Sequence, residues 1–156
     1  MIAKIFISHS VAPQELAFVN GVADAAAQRQ AVPLIPDRAW NPSAEALPNR
    51  ITGQIKDADY VVAIASSYGQ HLAWLNQEIA YAKQVLKPLL IVADAEIAIA
   101  QGFDLIRIDR ANPIATLALV SNKIQMLVND KQAQTLLKGL VIGGLVLLFL
   151  KGLKGQ

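Results

Sequence analysis

The run Tyr60-Val61-Val62-Ala63-Ile64-Ala65 has no polar residue at any second position. A strand with one wet face alternates apolar and polar residues, whereas an unbroken apolar run is covered on both faces. A sheet built around such a strand needs helices on both sides, so the chain has to alternate strands with helices. The rest of the sequence supplies that alternation. Ile2 to Ile7 is a short apolar strand interrupted only by Lys4, with Ser8-His9-Ser10 at its carboxyl end. Pro13, Gln14 and Glu15 suit a first helical turn, and Leu16, Val19, Ala23, Ala26 and Ala27 keep helical spacing to about Gln30. Val32 to Ile35 is a brief second strand, and Pro36 to Pro48 a proline-rich irregular loop. Leu47, Ile51 and Ile55 mark a second helix ending near Asp57. Beyond the central run, Lys87 to Ala93 forms a fourth strand, Asp94 to Gln101 a short helix or turn, and Leu105 to Ile108 a thin fifth strand.

Five strands joined through right-handed crossovers predict an α/β domain with a flavodoxin-like five-stranded parallel sheet of order 2-1-3-4-5 and helices on both faces. Ligands bind such sheets beyond the carboxyl ends of the strands where the winding reverses, here between the first and third strands. Those ends are Ser8-His9-Ser10 and Ser66-Ser67. Gly69 follows, where a residue of wide conformational range suits a loop, and then a helix on which Trp74 and Glu78 stand four apart on one face. By itself such a pair is most simply a core tryptophan beside a solvated glutamate.

Taken together, the opening I-F-I-S-H-S, the loop holding Trp40, and Ser66 followed by Trp74-x-x-x-Glu78 resemble the Toll/interleukin receptor (TIR) domain. The stretch Asn76 to Ala82, followed by Lys87-Pro88, is most similar to microbial TIR-like proteins of antiviral defence. The chain departs from the family's pattern at Pro42-Ser43, where a glycine usually follows the proline, and it carries no Gly-rich nucleotide fingerprint. The resemblance implies cleavage of the nicotinamide–ribose bond of NAD, with NAD as substrate rather than cofactor, by a hydrolase or an ADP-ribosyl cyclase. The leaving group is already cationic, so one carboxylate suffices to stabilise the ribosyl oxocarbenium ion. The resemblance gives that role to Glu78. Trp74 walls the site, Trp40 stacks on a ring of the substrate or anchors its loop, and Ser8, His9, Ser10, Arg38 and Ser66 are the remaining substrate-binding candidates. Read without the resemblance, His9 caps a turn and Arg38 pairs with Asp37 or Glu45 at the surface, where such a pair contributes little.

Composition narrows the alternatives. The 156 residues include no cysteine, which removes disulfides and thiolate zinc sites, and two histidines make any metal site improbable. A net charge of +2 leaves no broad basic face for nucleic acid. From Asn112, the positions Ile114, Leu117, Val120, Ile124 and Leu127 predict an amphipathic helix covering the sheet, followed by a polar interval at Asn129 to Gln134. The division is therefore a TIR-like domain over 1–130 and a hydrophobic helix over 131–156. The core of that tail, Gly139 to Leu150, is short of a bilayer by itself, but 135–153 reaches about 28 Å, enough for one span. Two readings stand. One is a carboxyl-terminal anchor holding a cytoplasmic domain at the inner membrane, the other a helix buried in a homo-oligomer or filament. Function likewise has alternatives: a non-catalytic TIR-like interaction module, or a membrane-disrupting effector acting through the tail.

Overall fold

The computed structural model describes residues 2–42, 44–69 and 72–139, with side chains to 131. The chain order is β1 (Ala3–Ser10), a 3-10 turn (Pro13–Glu15), α1 (Leu16–Gln28), β2 (Ala31–Leu34), α2 (Asn49–Asp57), β3 (Tyr60–Ala65), α3 (Leu72–Gln84), β4 (Leu89–Ala93), β5 (Asp104–Arg107) and α4 (Pro113–Gly139). The strands form one sheet of order β2-β1-β3-β4-β5 with every pair parallel, as expected. Every residue of β3 is buried.

Alternation along the strands sends successive side chains to opposite faces. Ile5, Ile7, Val62, Ile64, Leu90 and Val92 pack with Val19, Val22 and Ala26 of α1 and Val120, Ile124 and Val128 of α4. On the other face Phe6 and Val61 meet Ile51 and Ile55 of α2, Ala82 of α3 and Trp40, while Ala63, Ala65, Ile91 and Ala93 meet Leu75 of α3.

Several boundaries differ from the sequence reading. β1 continues through Ser8, His9 and Ser10, which pair in register with Ala63, Ile64 and Ala65. Ser8 persists in that strand because Glu78 of α3 accepts from its hydroxyl. The first helix opens as a 3-10 turn and becomes α-helical at Leu16. Residues 94–101 form turns without a helix; Ile97, Ile99 and Phe103 from this connection cover the sheet instead. The polar residues 129–134 do not interrupt α4, which is helical to Gly139. Tyr60 Oη donates to the Leu127 carbonyl and Lys131 Nζ sits 2.8 Å from Asp59 Oδ1, so α4 stays docked to at least residue 131. Among the described residues no helix is long and apolar enough to cross a membrane. The expected span over 135–153 extends into residues 140–156, which lie outside the described part.

Candidate functional site at the carboxyl rim of the sheet

Because Ser8 and Ser10 share strand parity with Phe6, their side chains face α3, while His9 faces the α1 and α4 side. Glu78 is on the inner face of α3 with Leu75 and Ala82, and it is 0% exposed. A carboxylate buried that deeply needs donors. Ser8 Oγ donates to Glu78 Oε1 at 2.6 Å and Arg38 Nη1 to Oε2 at 2.8 Å. Arg38 Nη2 donates to the His9 carbonyl at 2.7 Å, and the guanidinium carbon lies 5.4 Å from the centroid of the Trp74 ring. The Arg38 side chain is 16% exposed and pairs with a carboxylate that solvent does not reach. Burial pushes the Glu78 carboxyl up, against Arg38 and Ser8, which favour its ionised form. Burial first, and then the charge of Arg38, lower His9 to about 4.

The loop after β2 is tied to α3 at successive points. Trp74 Nε1 donates to the Trp40 carbonyl at 2.9 Å and Gln77 Nε2 to the Pro42 carbonyl at 2.7 Å. Trp40 itself is 4% exposed and packs with Phe6, Ile51 and Ile55, so its ring anchors the loop. The surface pairing of Arg38 is not found: Asp37 takes Arg50 instead, at 2.7 and 2.8 Å. His9 Nδ1, Ser10 Oγ, Arg38 Nε and Trp40 Nε1 are buried without a protein partner. Native interiors rarely leave such atoms unmatched, and bound water or a polar ligand suits Ser10 Oγ and Arg38 Nε, which share the α3 side of the sheet with Glu78.

Ser66 belongs to a second network, which the sequence reading missed. Its Oγ donates to Glu15 Oε1 at 2.6 Å and accepts from Arg110 Nη2 at 3.0 Å. Arg110 Nε donates to Asp94 Oδ1 at 2.7 Å, and Nη1 is bound to Glu15 Oε2. The backbone N–H of Ser67 donates to Asp94 Oδ2 at 2.6 Å. Hydrogen bonding from Arg110 holds the Asp94 carboxyl below its usual range, and Asp94 in turn raises Arg110. Burial alone would raise Glu15, but Ser66 and Arg110 bring it below its ordinary value. Gly69 is required by space rather than dihedral freedom, since a Cβ there would stand 1.4 Å from the Ser10 carbonyl oxygen.

Of the residues singled out from sequence, Glu78, Ser8, Arg38 and Trp74 therefore meet directly. His9 joins through its carbonyl, Trp40 supports from the core, Ser10 is next along the strand and Ser66 is in the neighbouring network. The first group is an ionisable carboxylate with one donor on each oxygen, an arrangement able to exchange protein donors for the hydroxyls of a sugar.

The model of a family described as "Thoeris protein ThsB, TIR-like domain" matches residues 6–97, from within β1 to the turns after β4. Among solved structures, a response regulator receiver domain protein from Bacillus halodurans C-125 is similar over 80% of this chain and 97% of that one, with 13% identity and a TM-score of 0.52. At that identity the likeness concerns the fold alone. No curated protein matches the chain.

Proposed function

The chain belongs to the Thoeris ThsB TIR-like family, which makes it a defence-related TIR module, and from that premise we propose that it cleaves the nicotinamide–ribose bond of NAD. The observation that carries this reading is the fully buried Glu78 carboxylate, held by Ser8 and Arg38 at the carboxyl rim where the strand order reverses. Ser8 and Arg38 turn from the carboxylate to the ribose and phosphate oxygens of the substrate, freeing Glu78 to orient the ribose hydroxyls. The C–N bond then breaks with its electron pair passing to the nicotinamide ring, which leaves neutral, and Glu78 stabilises the oxocarbenium ion left behind. Water completes a hydrolysis; a hydroxyl of the same ADP-ribose completes a cyclisation. Self-association and membrane tethering through residues 135–153 belong to the same proposal and rest on the sequence alone.

The full pairing of Glu78 also favours a second reading, a non-catalytic interaction module in which Ser8, Arg38 and Glu78 form a structural tie. One experiment separates them: chromatography of NAD incubated with concentrated full-length protein, beside Glu78→Gln. We expect nicotinamide from the wild type and a loss of at least about a hundredfold in the variant. Equal release by both proteins, or none by either, would sink the catalytic reading.

A further inference from the structure

Thr116, Val120, Ile124 and Val128 form the buried stripe of α4, at helical spacing. The opposite face lies in solvent, where a surface helix normally carries charge. Between Pro113 and Lys131 that outer face carries none. Leu119 and Met126 are 55% and 54% exposed there, and Ala118, Asn122 and Asn129 are exposed with them. The charges of the stretch stand at its flanks: Lys123 pairs with Asp104 at 3.1 Å and Lys131 with Asp59 at 2.8 Å, while Asp130 has no ion-pair partner among the described residues. Depletion of charge with exposed methionine is the composition of an interface core rather than of an ordinary wet surface.

Spacing along the face identifies what covers it. Leu119 and Met126, Asn122 and Asn129, and Lys123 and Asp130 each stand two helical turns apart, so each pair lies along one line of the helix. A second α4 laid antiparallel across this face, with a two-fold axis at Met126, sets each Asn122 against Asn129 of the second copy. The same operation puts Lys123 beside Asp130 of the second copy, and does so twice, as an isologous contact requires. Asn129 Oδ1 already accepts from Gln125 Nε2 at 2.9 Å, which leaves its amide N–H groups to donate to Asn122 Oδ1 across the seam. A parallel mate fails this match, because it sets Lys123 against Ala118 and Asp130 against Gln125, with no opposite charges facing. We propose that the outer face of α4 is a self-association surface on which a second copy of this chain docks its own α4 antiparallel, crossing at Met126. α4 covers the sheet face opposite α3, so the pairing leaves Glu78 untouched and holds whether or not NAD is cleaved.

The chain has no cysteine, so single introduced thiols report contacts without background. In the full chain under a mild oxidant, Met126→Cys should give a disulfide-linked dimer. Asn122→Cys mixed with Asn129→Cys should give the mixed linked dimer at least about tenfold faster than either variant alone. Adding Met126→Glu to that mixture should cut the yield at least about tenfold, because two carboxylates would meet at the axis. All four positions substituted are on the outer face, so thermal midpoints should stay within about 2 °C of wild type, which keeps loss of pairing distinct from loss of folding. Efficient linkage of Asn122→Cys to itself would show a parallel mate and overturn the antiparallel seam. No linkage at residue 126, or a yield that Met126→Glu leaves unchanged, would overturn the α4 surface and place any self-association elsewhere in the chain.

Discussion

Glu78 is tolerated inside α3 only because two residues distant in sequence, Ser8 and Arg38, reach it. Removing one partner of a buried pair leaves the other charge uncompensated, which costs more than the pair contributes when intact. Arg38→Met should therefore lower stability by about 3 kcal/mol in guanidinium titrations, and adding Glu78→Gln should recover much of that loss. A double variant as unstable as Arg38→Met would mean that Arg38 acts through its packing on Trp74. The pairing of Trp74 with Glu78 was legible because helical spacing puts residues four apart on one face. Arg38 belongs with Glu78 rather than in the alternative surface pair with its neighbour Asp37, which turns to Arg50 instead. The Arg110 network was not legible at all. Its partners Glu15, Ser66 and Asp94 lie 95, 44 and 16 residues from Arg110, and only the closed sheet gathers them.

Among the elements, strand type and order followed from the apolar runs, while the ends depended on tertiary partners. β1 outlasts its apolar run because Ser8 is taken by α3 and the strand stays paired with β3 through Ser10. The connection over 94–101 stays non-helical because Ile97 and Ile99, which both cover the sheet, stand two apart, and a helix would turn them to different faces. α3 ends in a way that propensity does not suggest. Leu86 has φ 61°, and it is 86% exposed, so its side chain gains little in return for a left-handed backbone. Glycine is the usual residue there, and the N–H of Lys87 already closes the helix on the Ala82 carbonyl. Leu86→Gly should raise stability by about 0.5–1 kcal/mol, seen as a higher thermal midpoint. A fall in the midpoint would show that Leu86 makes apolar contacts worth more than the backbone it strains.

For the molecule as a whole, acid sensitivity is set by groups that bind protons differently when folded. His9 falls to about 4 from 6.5, first through burial and then through Arg38. The folded chain keeps it neutral where the unfolded chain protonates it, so its stabilising contribution is complete above about 6.5 and is lost as the pH drops towards 4. Asp94 and Glu15 have lowered values and lose their contribution at still lower pH, below the ordinary carboxylate range. Glu78 runs the other way, since its raised value means that acid relieves the cost of burying its charge. Between pH 7 and 5 the histidine should dominate, removing about 2 kcal/mol. His9→Gln should flatten that limb of the stability curve, and an unchanged slope would assign it to other groups. The geometry of the sheet has a practical consequence as well. Since the strands are parallel, the groups discussed above gather at one rim, and the α3–β4 turn with the exposed Leu86 lies at the other. That turn is where a fluorophore, a surface tether or an inserted reporter domain can be grafted so that it reports on the protein without intruding on its chemistry.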